Sequence, residues 1–316
     1  MIKNVLICGL GAVGMTFACK IQKALPECLK VLVDIERLKR YSQNPPKMNG
    51  EEKFFDYVLP YETDYKADLV IIATKMDGLG AALANLRNFV GENTIILPIL
   101  NGIEAEEKVA EVYGWDKVLY GYFIGHSAMR VGNEVVQDGV GKIVFGGAVP
   151  EAHPQLDIGG KLTADLRGNS AAVAEFFSRV GIDFDNPENI KYAKWLKFSL
   201  NVVSNQSSCI LKMTFGDMQK SERFQEFARN IVREVMELAR LEGVEGWENL
   251  EEDFIKALFM MSEDGKTSMW QDVEAGKKTE LEIFAGTVLK LGAKHGVPTP
   301  YNQVMYEMIR IIEEKF

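Results

Sequence analysis

A glycine-rich hexapeptide near the amino terminus constrains the fold of this chain more than any other feature. Its residues are Gly9, Leu10, Gly11, Ala12, Val13 and Gly14. The hexapeptide directly follows an apolar run and directly precedes a helical pattern, which is the setting of the first turn in a dinucleotide-binding βαβ unit. There the first glycine permits a tight bend, the second lets the backbone approach a pyrophosphate, and the third lets helix and strand pack closely. The hexapeptide therefore predicts a parallel sheet with a dinucleotide bound at its edge.

Short apolar runs alternate with helical patterns through the first half of the chain. The runs cover 4–8, 30–33, 68–73 and 94–99, and they are followed by an expected strand near 117–124 and an expected hairpin over 134–137 and 142–146. The first four runs are continuous rather than alternating, as is typical of parallel strands that are buried on both faces. The pattern predicts an α/β fold whose amino-terminal part is a doubly wound, Rossmann-type sheet.

The second half of the chain has a different pattern. A segment rich in glycine, proline and aspartate over 149–168 predicts an irregular loop, after which a helix over 170–180 and a short strand over 182–186 are expected. From residue 188 onward the apolar spacing is helical throughout. Helices are expected over 222–241, 251–261, 279–295 and 301–315. We therefore expect two domains, a sheet domain over 1–187 and an all-helical domain over 188–316.

The composition restricts the class of partner. Apolar residues make up 47% of the chain and charged residues 26%, which predicts a folded protein with a sizeable core. A net charge of −9 argues against nucleic acid or an anionic membrane as the main partner. The four cysteines and three histidines show no metal-binding spacing, so no metal is expected. Because there is no signal peptide and no apolar run of roughly 18 residues, we expect a cytoplasmic protein.

Asp34 bears on the choice of dinucleotide. It follows the second apolar run, about twenty residues past the glycines, where an acidic residue binds the adenosine ribose hydroxyls of NAD. The 2′-phosphate of NADP would place like charges side by side, with a repulsion of about 4 kcal/mol per pair of unit charges at 4 Å and an effective dielectric near 20. NAD(H) is therefore favoured over NADP(H). Arg37, Lys39 and Arg40 follow closely and keep NADP(H) open.

Polar residues also follow the later strands. Lys75 and Asn101 come after the third and fourth runs, and His126 and Ser127 follow the fifth. Because ligands of open α/β sheets bind outside the carboxyl ends of the strands, these loops are expected to share one cleft. For His126 a loop or core histidine is the favoured interpretation.

A polar stripe marks one otherwise apolar helix over 195–211. Lys197, Asn201 and Asn205 fall at i, i+4 and i+8, a spacing that places them on one helical face over roughly 12 Å. Apolar residues occupy the other faces, so burial on several sides is expected. The stripe is either a solvated helix face or a polar site that awaits a ligand, because a buried lysine without a partner is costly.

These motifs occur together with two further segments. The segments are Thr267-Ser268-Met269-Trp270-Gln271-Asp272 and Lys278-Thr279-Glu280. In this order, and over nearly the whole chain, the motifs closely resemble the ketopantoate reductase (2-dehydropantoate 2-reductase) family. The resemblance implies a Rossmann domain, a helical domain related to that of 6-phosphogluconate dehydrogenase, and reduction of the C2 ketone of a 2-keto acid by a nicotinamide dinucleotide.

The resemblance also implies roles for single residues. Lys197 matches the catalytic lysine that protonates the carbonyl oxygen, and Glu280 matches the acidic residue beside the substrate hydroxyl. Substrate is held by residues matching Asn101, Asn201, Asn205 and Ser268. Lys75 and Asn101 match residues on the nicotinamide side of the cleft. The dinucleotide is thus expected on 1–187, and substrate binding and catalysis on 188–316.

Three departures from the family pattern keep alternatives open. Asp34 stands where most members carry a basic residue and use NADP, Gly265 and Phe215 stand where many members place asparagines, and the loop over 149–168 looks longer than usual. The leading hypothesis is reduction of ketopantoate to (R)-pantoate in pantothenate and coenzyme A biosynthesis.

Two other functions compete with it. The first is an NAD-dependent D-2-hydroxy acid dehydrogenase that acts on other bulky 2-keto acids. The second is a non-catalytic NAD(H)-sensing protein, which would have no reason to keep Lys197, Ser268 and Glu280 together. Besides the small-molecule substrate, a homodimer is the one protein partner left open.

Overall fold

The protein divides into two compact units, Met1–Ile190 and Lys191–Phe316. The structure is a computed structural model, and it describes residues 1–62, 64–125, 128–137, 139, 141–147 and 161–316. The expected pair His126 and Ser127 lies outside the described residues. The domain limits expected at 187 and 188, with the roles attached to them, stay a prediction.

The strands and helices of the chain are as follows. The strands are β1 (Val5–Cys8), β2 (Leu29–Leu32), β3 (Lys47–Met48), β4 (Glu51–Glu52), β5 (Tyr57–Val58), β6 (Leu69–Ile72), β7 (Ile95–Pro98), β8 (Tyr120–Ile124), β9 (Ala128–Val131), β10 (Glu134–Gln137), β11 (Lys142–Gly146) and β12 (Phe184–Asp185). The helices of the first unit are α1 (Ala12–Ala24), α2 (Ile35–Gln43), α3 (Leu79–Asn85), α4 (Ala105–Tyr113) and α5 (Lys161–Val180). Those that follow are α6 (Ile190–Leu200), α7 (Gln206–Leu211), α8 (Phe215–Lys220), α9 (Glu222–Leu241), α10 (Leu250–Phe259), α11 (Ser268–Glu274), α12 (Ala285–His295) and α13 (Pro300–Glu313).

The first unit is built on a five-stranded parallel sheet of order β5-β2-β1-β6-β7. Every residue of β1, β6 and β7 is buried, as the continuous apolar runs predict for strands covered on both faces. The chain starts in the middle of the sheet and proceeds outward in both directions, which is the doubly wound order. The predicted Rossmann-type sheet is therefore confirmed.

The predicted hairpin between 134–137 and 142–146 is wrong. β10 pairs antiparallel with β9 across Gly132 and Asn133, whereas β11 pairs antiparallel with β8. Gly132 has a φ of +60°, which a two-residue hairpin turn favours and a glycine supplies. Burial also separates the two strands, because β11 is almost wholly buried while Val136 of β10 is exposed. The two strands therefore belong to different sheets.

The irregular loop predicted over 149–168 is too long. Helix α5 begins at Lys161, so the last part of that segment is helical, and 148–160 lies outside the described residues. The sequence KLTADLRG over 161–168 consists mostly of residues with ordinary or good helix propensity. The nearby glycines and prolines obscured that propensity.

The second unit is helical, as predicted. Helix α9 matches the expected limits, but the helix expected over 279–295 begins only at Ala285, after a 3₁₀ turn over Leu281–Ile283. The buried Glu234 carboxylate accepts from the backbone N–H groups of Tyr301 and Asn302 at 2.8 and 3.1 Å. Glu234 of α9 therefore satisfies the first N–H groups of α13. In the described part of the chain, no helix is both long and apolar enough to cross a membrane.

Candidate functional site

The hexapeptide forms a turn that tolerates only glycine at two positions. Gly9 has a φ of +102°, and a Cβ there would lie 2.8 Å from the carbonyl carbon and oxygen of Ala73. A Cβ on Gly14 would lie 1.9 Å from the Gly9 carbonyl oxygen. At Gly11 the nearest atom to a Cβ would be 3.7 Å away. Gly9 and Gly14 therefore permit close packing of β1, α1 and the end of β6. Gly11, which has no side chain, leaves the backbone of the turn accessible to a ligand.

The amino terminus of α1 suits the pyrophosphate of a dinucleotide. Gly11 is the N-cap residue and offers no side chain, and the first turn carries no acidic residue. Its N–H groups and partial positive charge are thus directed at any anion bound there. Within the described residues, the Thr74 hydroxyl after β6 is buried and has no hydrogen-bond partner. The geometry of these residues fits a bound dinucleotide.

Arg130 contacts this turn, although no sequence motif predicts the contact. Its guanidinium donates to the Leu10 carbonyl oxygen within the hexapeptide, and its Nε donates to the Gly132 carbonyl oxygen at 3.1 Å. Strand β9 brings this positive charge to the glycine turn. Because β9 is remote in sequence from the hexapeptide and no strand is expected at 128–131, no local pattern indicated the contact.

Asp34 is the N-cap of α2. Its Oδ1 accepts from the Arg37 backbone N–H at 2.6 Å, and its Oδ2 lies 3.1 Å from Arg37 Nη1. The carboxylate is half-exposed. The described contacts are those of a helix cap, and the ribose contact remains a prediction.

Lys75 and Asn101 follow neighbouring strands of the parallel sheet. Lys75 comes after β6 and is exposed, whereas Asn101 comes after β7 and is half-buried. Since β6 and β7 are adjacent and parallel, the two residues follow the same edge of the sheet as the glycine turn. Their contacts with the nicotinamide and the substrate stay predictions.

The predicted polar helix contains a π-helical turn. Asn201–Asn205 form this turn between α6 and α7, and all five residues are buried. π-helical turns insert one residue into an α-helix and occur often at functional sites. The simple i, i+4, i+8 geometry is therefore locally altered, but the asparagines still meet: Asn205 Nδ2 donates to Asn201 Oδ1 at 3.2 Å.

A relay of hydrogen bonds orients both asparagines. Asn205 Oδ1 accepts from the Met269 backbone N–H and from Ser268 Oγ, each at 3.2 Å. A backbone N–H can only donate, so the amide of Asn205 must turn its oxygen toward Met269 and its nitrogen toward Asn201. Asn201 then accepts through its oxygen, which leaves its NH₂ as the group to donate elsewhere. Asn201, Asn205 and Ser268 are thus brought together as a directed set.

Lys197 lies on α6, one helical turn before this set. It is partly buried, and removal of water from its surroundings lowers the pKa of its ammonium from 10.5 to about 8. Within the described residues, no hydrogen bond or ion pair of this ammonium is present. A positive donor with a pKa close to neutrality and no protein partner can bind an oxygen and release a proton to it.

Glu280 is half-buried at the start of the Leu281–Ile283 turn. The catalytic role implied for it by the family resemblance stays a prediction. Phe215 and Gly265 contact one another: the Phe215 N–H donates to the Gly265 carbonyl at 3.2 Å, and a Cβ on Gly265 would lie 2.8 Å from the Phe215 ring. The two substitutions are therefore coupled, since the glycine leaves room for the phenyl ring.

No group of His, Cys, Asp and Glu in the described part of the chain could hold a metal ion. Burial raises the pKa of the Cys8 thiol to about 12 and of Cys19 and Cys209 to about 11. These cysteines carry little thiolate near neutral pH and are poor nucleophiles.

Two protein-family models match this chain. Residues 5–149 match the family model for ketopantoate reductase PanE/ApbA, and residues 189–313 match the model for its C-terminal part. The 2-dehydropantoate 2-reductase of Aquifex aeolicus is 26% identical over 327 residues, covering 99% of this chain and 98% of the relative.

Several solved structures share the fold, and two of them are described here as examples of it. D-mandelate dehydrogenase in a ternary structure with NADH and anilino(oxo)acetate has a TM-score of 0.82 at 22% identity and covers 99% and 98% of the two chains. A dimeric ketopantoate reductase from Staphylococcus aureus has a TM-score of 0.73 at 19% identity and covers 99% of each chain. With both parts of its sequence matched, the chain belongs to the ketopantoate reductase family of oxidoreductases that act on CH–OH groups with a nicotinamide cofactor.

Proposed function

We propose that this protein reduces the C2 ketone of a 2-keto acid, with ketopantoate as the first candidate substrate and (R)-pantoate as its product. That reaction would place it in pantothenate and coenzyme A biosynthesis. The observation that carries the proposal is the partly buried Lys197 ammonium, one helical turn from the oriented asparagines. Among the residues that the structure describes, it has no hydrogen-bond or ion-pair partner. A non-catalytic sensor of NAD(H) would not need such a group.

Lys197 supplies the proton in this proposal. When bound, a nicotinamide dinucleotide would supply the hydride to C2, and the ketone oxygen would become an alkoxide. A positive group at that oxygen stabilises the developing negative charge and can donate the proton. With a pKa of about 8, the ammonium is mostly charged at neutral pH and yet gives up its proton more readily than an ordinary lysine.

The asparagine relay binds the substrate carboxylate. Because Asn201 accepts through Oδ1, its NH₂ is available as a neutral donor to an anion. Neutral donors suit a carboxylate in a chain of net charge −9, since they add no titrating group. Glu280 is proposed to accept a hydrogen bond from the distal hydroxyl of ketopantoate, so that none of its three polar groups is buried unsatisfied.

The specific substrate is tested by comparing kcat/KM for ketopantoate with that for 3,3-dimethyl-2-ketobutyrate, which lacks the hydroxyl. The analogue cannot make the proposed contact with Glu280, and we expect it to lose about 1–3 kcal/mol of transition-state binding. Equal or better turnover of the analogue would reject ketopantoate as the substrate.

One observation favours a second candidate, an NAD-dependent D-2-hydroxy acid dehydrogenase. The contact between Phe215 and Gly265 replaces two polar positions with an apolar one, which suits a bulky apolar 2-keto acid. D-mandelate dehydrogenase, which has this fold, supports the same class of substrate. Preferred turnover of phenylglyoxylate over ketopantoate would establish this alternative.

NADH is the proposed hydride donor. Asp34 carries its negative charge at the position expected for the ribose contact, although Arg37 partly neutralises it. The sharp test is Asp34→Asn, because asparagine also caps helices well and leaves α2 intact. We expect the wild type to prefer NADH in kcat/KM and Asp34→Asn to shift the preference toward NADPH. A wild type that prefers NADPH tenfold or more would overturn the assignment.

The assembly proposed for the active protein is a homodimer. The dimeric S. aureus enzyme with this fold supports it.

A further inference from the structure

The π-helical turn over Asn201–Asn205 is held by a side chain as well as by its backbone. In an α-helix the N–H of Gln206 would donate to the carbonyl of Val202, four residues earlier. Here that N–H donates to the carbonyl of Val203 instead, and Gln206 Nε2 donates to the Val202 carbonyl oxygen at 2.7 Å. The amide of Gln206 therefore supplies a hydrogen bond to Val202 that α-helical geometry would take from the backbone.

Three residues, Gln206, Asn302 and Glu234, form a buried chain of hydrogen bonds that joins this turn to α13 and α9. Gln206 Nε2 also donates to Asn302 Oδ1 at 3.2 Å, and Asn302 Nδ2 donates to Glu234 Oε2 at 2.8 Å. Gln206 and Asn302 are wholly buried, and Glu234 is 8% exposed. The π-helical turn is thus connected to two other helices of the second unit through side chains that water does not reach.

The chemistry of the buried chain fixes its direction. Glu234 accepts from the N–H groups of Tyr301 and Asn302 as well as from Asn302 Nδ2, and a carboxylate offers only acceptors. Asn302 must therefore turn its nitrogen toward Glu234 and its oxygen toward Gln206, which donates through its own nitrogen. In the described part of the chain, Gln206 Oε1 is buried and has no hydrogen-bond partner. Gln206 is thus held through its nitrogen alone.

The π-helical turn determines how Lys197 is oriented relative to Asn205. Such a turn inserts one residue into an α-helix, and one residue of an α-helix corresponds to a rotation of about 100°. Lys197 precedes the turn and Asn205 ends it. Loss of the insertion would therefore change the angle between Lys197 and the contacts that Asn205 makes with α11.

We propose that Gln206, Asn302 and Glu234 are positioning residues, which hold the π-helical turn in the geometry that brings Lys197 and the oriented asparagines to one 2-keto acid. Their contacts are with the protein, and they act through the turn. The inference rests on the proposed function, since it gives the turn a role in binding the 2-keto acid that we propose as substrate.

The first test measures hydrogen exchange in two glutamine-to-methionine variants without any ligand. Gln206→Met removes the amide of the buried chain and keeps a side chain of similar length. Gln219→Met is the matched control, because Gln219 Nε2 likewise donates to two oxygens, the carbonyls of Leu258 and Met261. We expect exchange over 201–207 to become about tenfold faster in Gln206→Met, which loses two hydrogen bonds, and to stay unchanged in Gln219→Met. Unchanged exchange in Gln206→Met would overturn the proposal.

The second test separates positioning from general destabilisation. In Gln206→Met we expect kcat/KM for the 2-keto acid to fall about tenfold and the dissociation constant for NADH to stay unchanged, whereas Gln219→Met keeps the wild-type kcat/KM. Asn302→Leu breaks the buried chain at its second member and also lowers kcat/KM. The double variant should lose less than the product of the two single effects, because both substitutions remove the same contact.

Two kinetic results would contradict the proposal: an unchanged kcat/KM in Gln206→Met, or single effects that multiply in the double variant. If Gln206→Met does not fold, Asn302→Leu is compared with Gln219→Met by the same measurements and the same criteria. The exchange measurement uses no substrate, so its failure would contradict the role of the buried chain alone. A wild type that turned over no 2-keto acid would instead contradict the proposed function, and with it the role given to the turn.

Discussion

At the scale of single residues, Lys197 connects stability to function. Its pKa is lower in the folded chain than the ordinary 10.5, so the folded state binds fewer protons than the unfolded state between about pH 8 and 10.5. The contribution of Lys197 to the free energy of unfolding therefore rises with pH across that window. Below pH 8 the ammonium is charged in the folded chain, which then carries the full penalty of its desolvation. The lysine that we propose as the proton donor is therefore kept at the expense of stability.

We therefore expect Lys197→Met to be more stable than the wild type at pH 7, by about 1–3 kcal/mol at 1.36 kcal/mol per pKa unit. The gain should shrink as pH rises from 8 to 10.5. Urea unfolding of both proteins across this range measures it. Lys256→Met, which alters an exposed lysine paired with Glu252, should show no gain. Absence of a gain at pH 7 would mean that the ammonium is not desolvated.

The same residue is proposed to govern the rate of ketone reduction. Lys197→Met should lose about 10²–10⁴ in kcat, while NADH binding measured by fluorescence stays normal. In the wild type, kcat for ketone reduction should fall as pH rises through about 8, because the acid must be protonated to act. A variant with unimpaired kcat would transfer the proton-donor role to another group.

At the scale of elements, the π-helical turn and the start of α11 act together. The Met269 N–H sets the orientation of Asn205, and Asn205 sets that of Asn201. Asn205 Nδ2 donates to Asn201, and its Oδ1 accepts from Met269 and Ser268. We therefore infer that Asn205, predicted as a substrate-binding residue, acts by positioning Asn201.

Asn205→Asp tests this relay. An aspartate offers only acceptors, so Asn201 must turn its NH₂ toward residue 205 and present its oxygen to the substrate carboxylate. We expect KM for the 2-keto acid to rise tenfold or more, with a smaller change in kcat and an unchanged dissociation constant for NADH. Steady-state kinetics with fluorescence titration separates these effects. An unchanged KM would show that the relay does not orient a substrate contact.

A pair of glycine variants tests the glycine turn. A Cβ on Gly14 meets the Gly9 carbonyl oxygen at 1.9 Å, whereas one on Gly80 of α3 meets nothing within 4 Å. Gly14→Ala should destabilise the fold by about 1–3 kcal/mol or more and weaken NADH binding. Gly80→Ala should be neutral or stabilising by up to about 1 kcal/mol, since alanine is the better helix former. Urea unfolding with NADH titration compares them, and equal behaviour would contradict the packing argument.

At the scale of the whole molecule, the two units should respond differently to the dinucleotide. NADH at a hundred times its dissociation constant stabilises its binding region by about 2.7 kcal/mol. Hydrogen exchange should therefore slow in β1, α1 and the β6 end of the first unit. Helix α10 of the second unit, remote in sequence from the glycine turn, serves as the internal reference. If hydrogen exchange slowed only in the second unit, the dinucleotide would not bind at the glycine turn.

Features that depend on neighbours along the chain are predictable from the amino-acid sequence alone. The hexapeptide, the continuous apolar runs and the helical periodicity specify the parallel sheet and the all-helical second unit, because burial patterns and glycine requirements are local. The motif residues Asn201, Asn205 and Ser268 were also predicted together, and the structure shows them in hydrogen-bond contact.

Features that depend on distant partners arise only in the folded structure. The pairing of β10 with β9, the placement of Arg130 at the glycine turn and the coupling of Phe215 with Gly265 join segments with no shared local pattern. The depressed pKa of Lys197 has the same origin. Desolvation depends on every atom packed around the ammonium, and that packing exists only once the chain has folded.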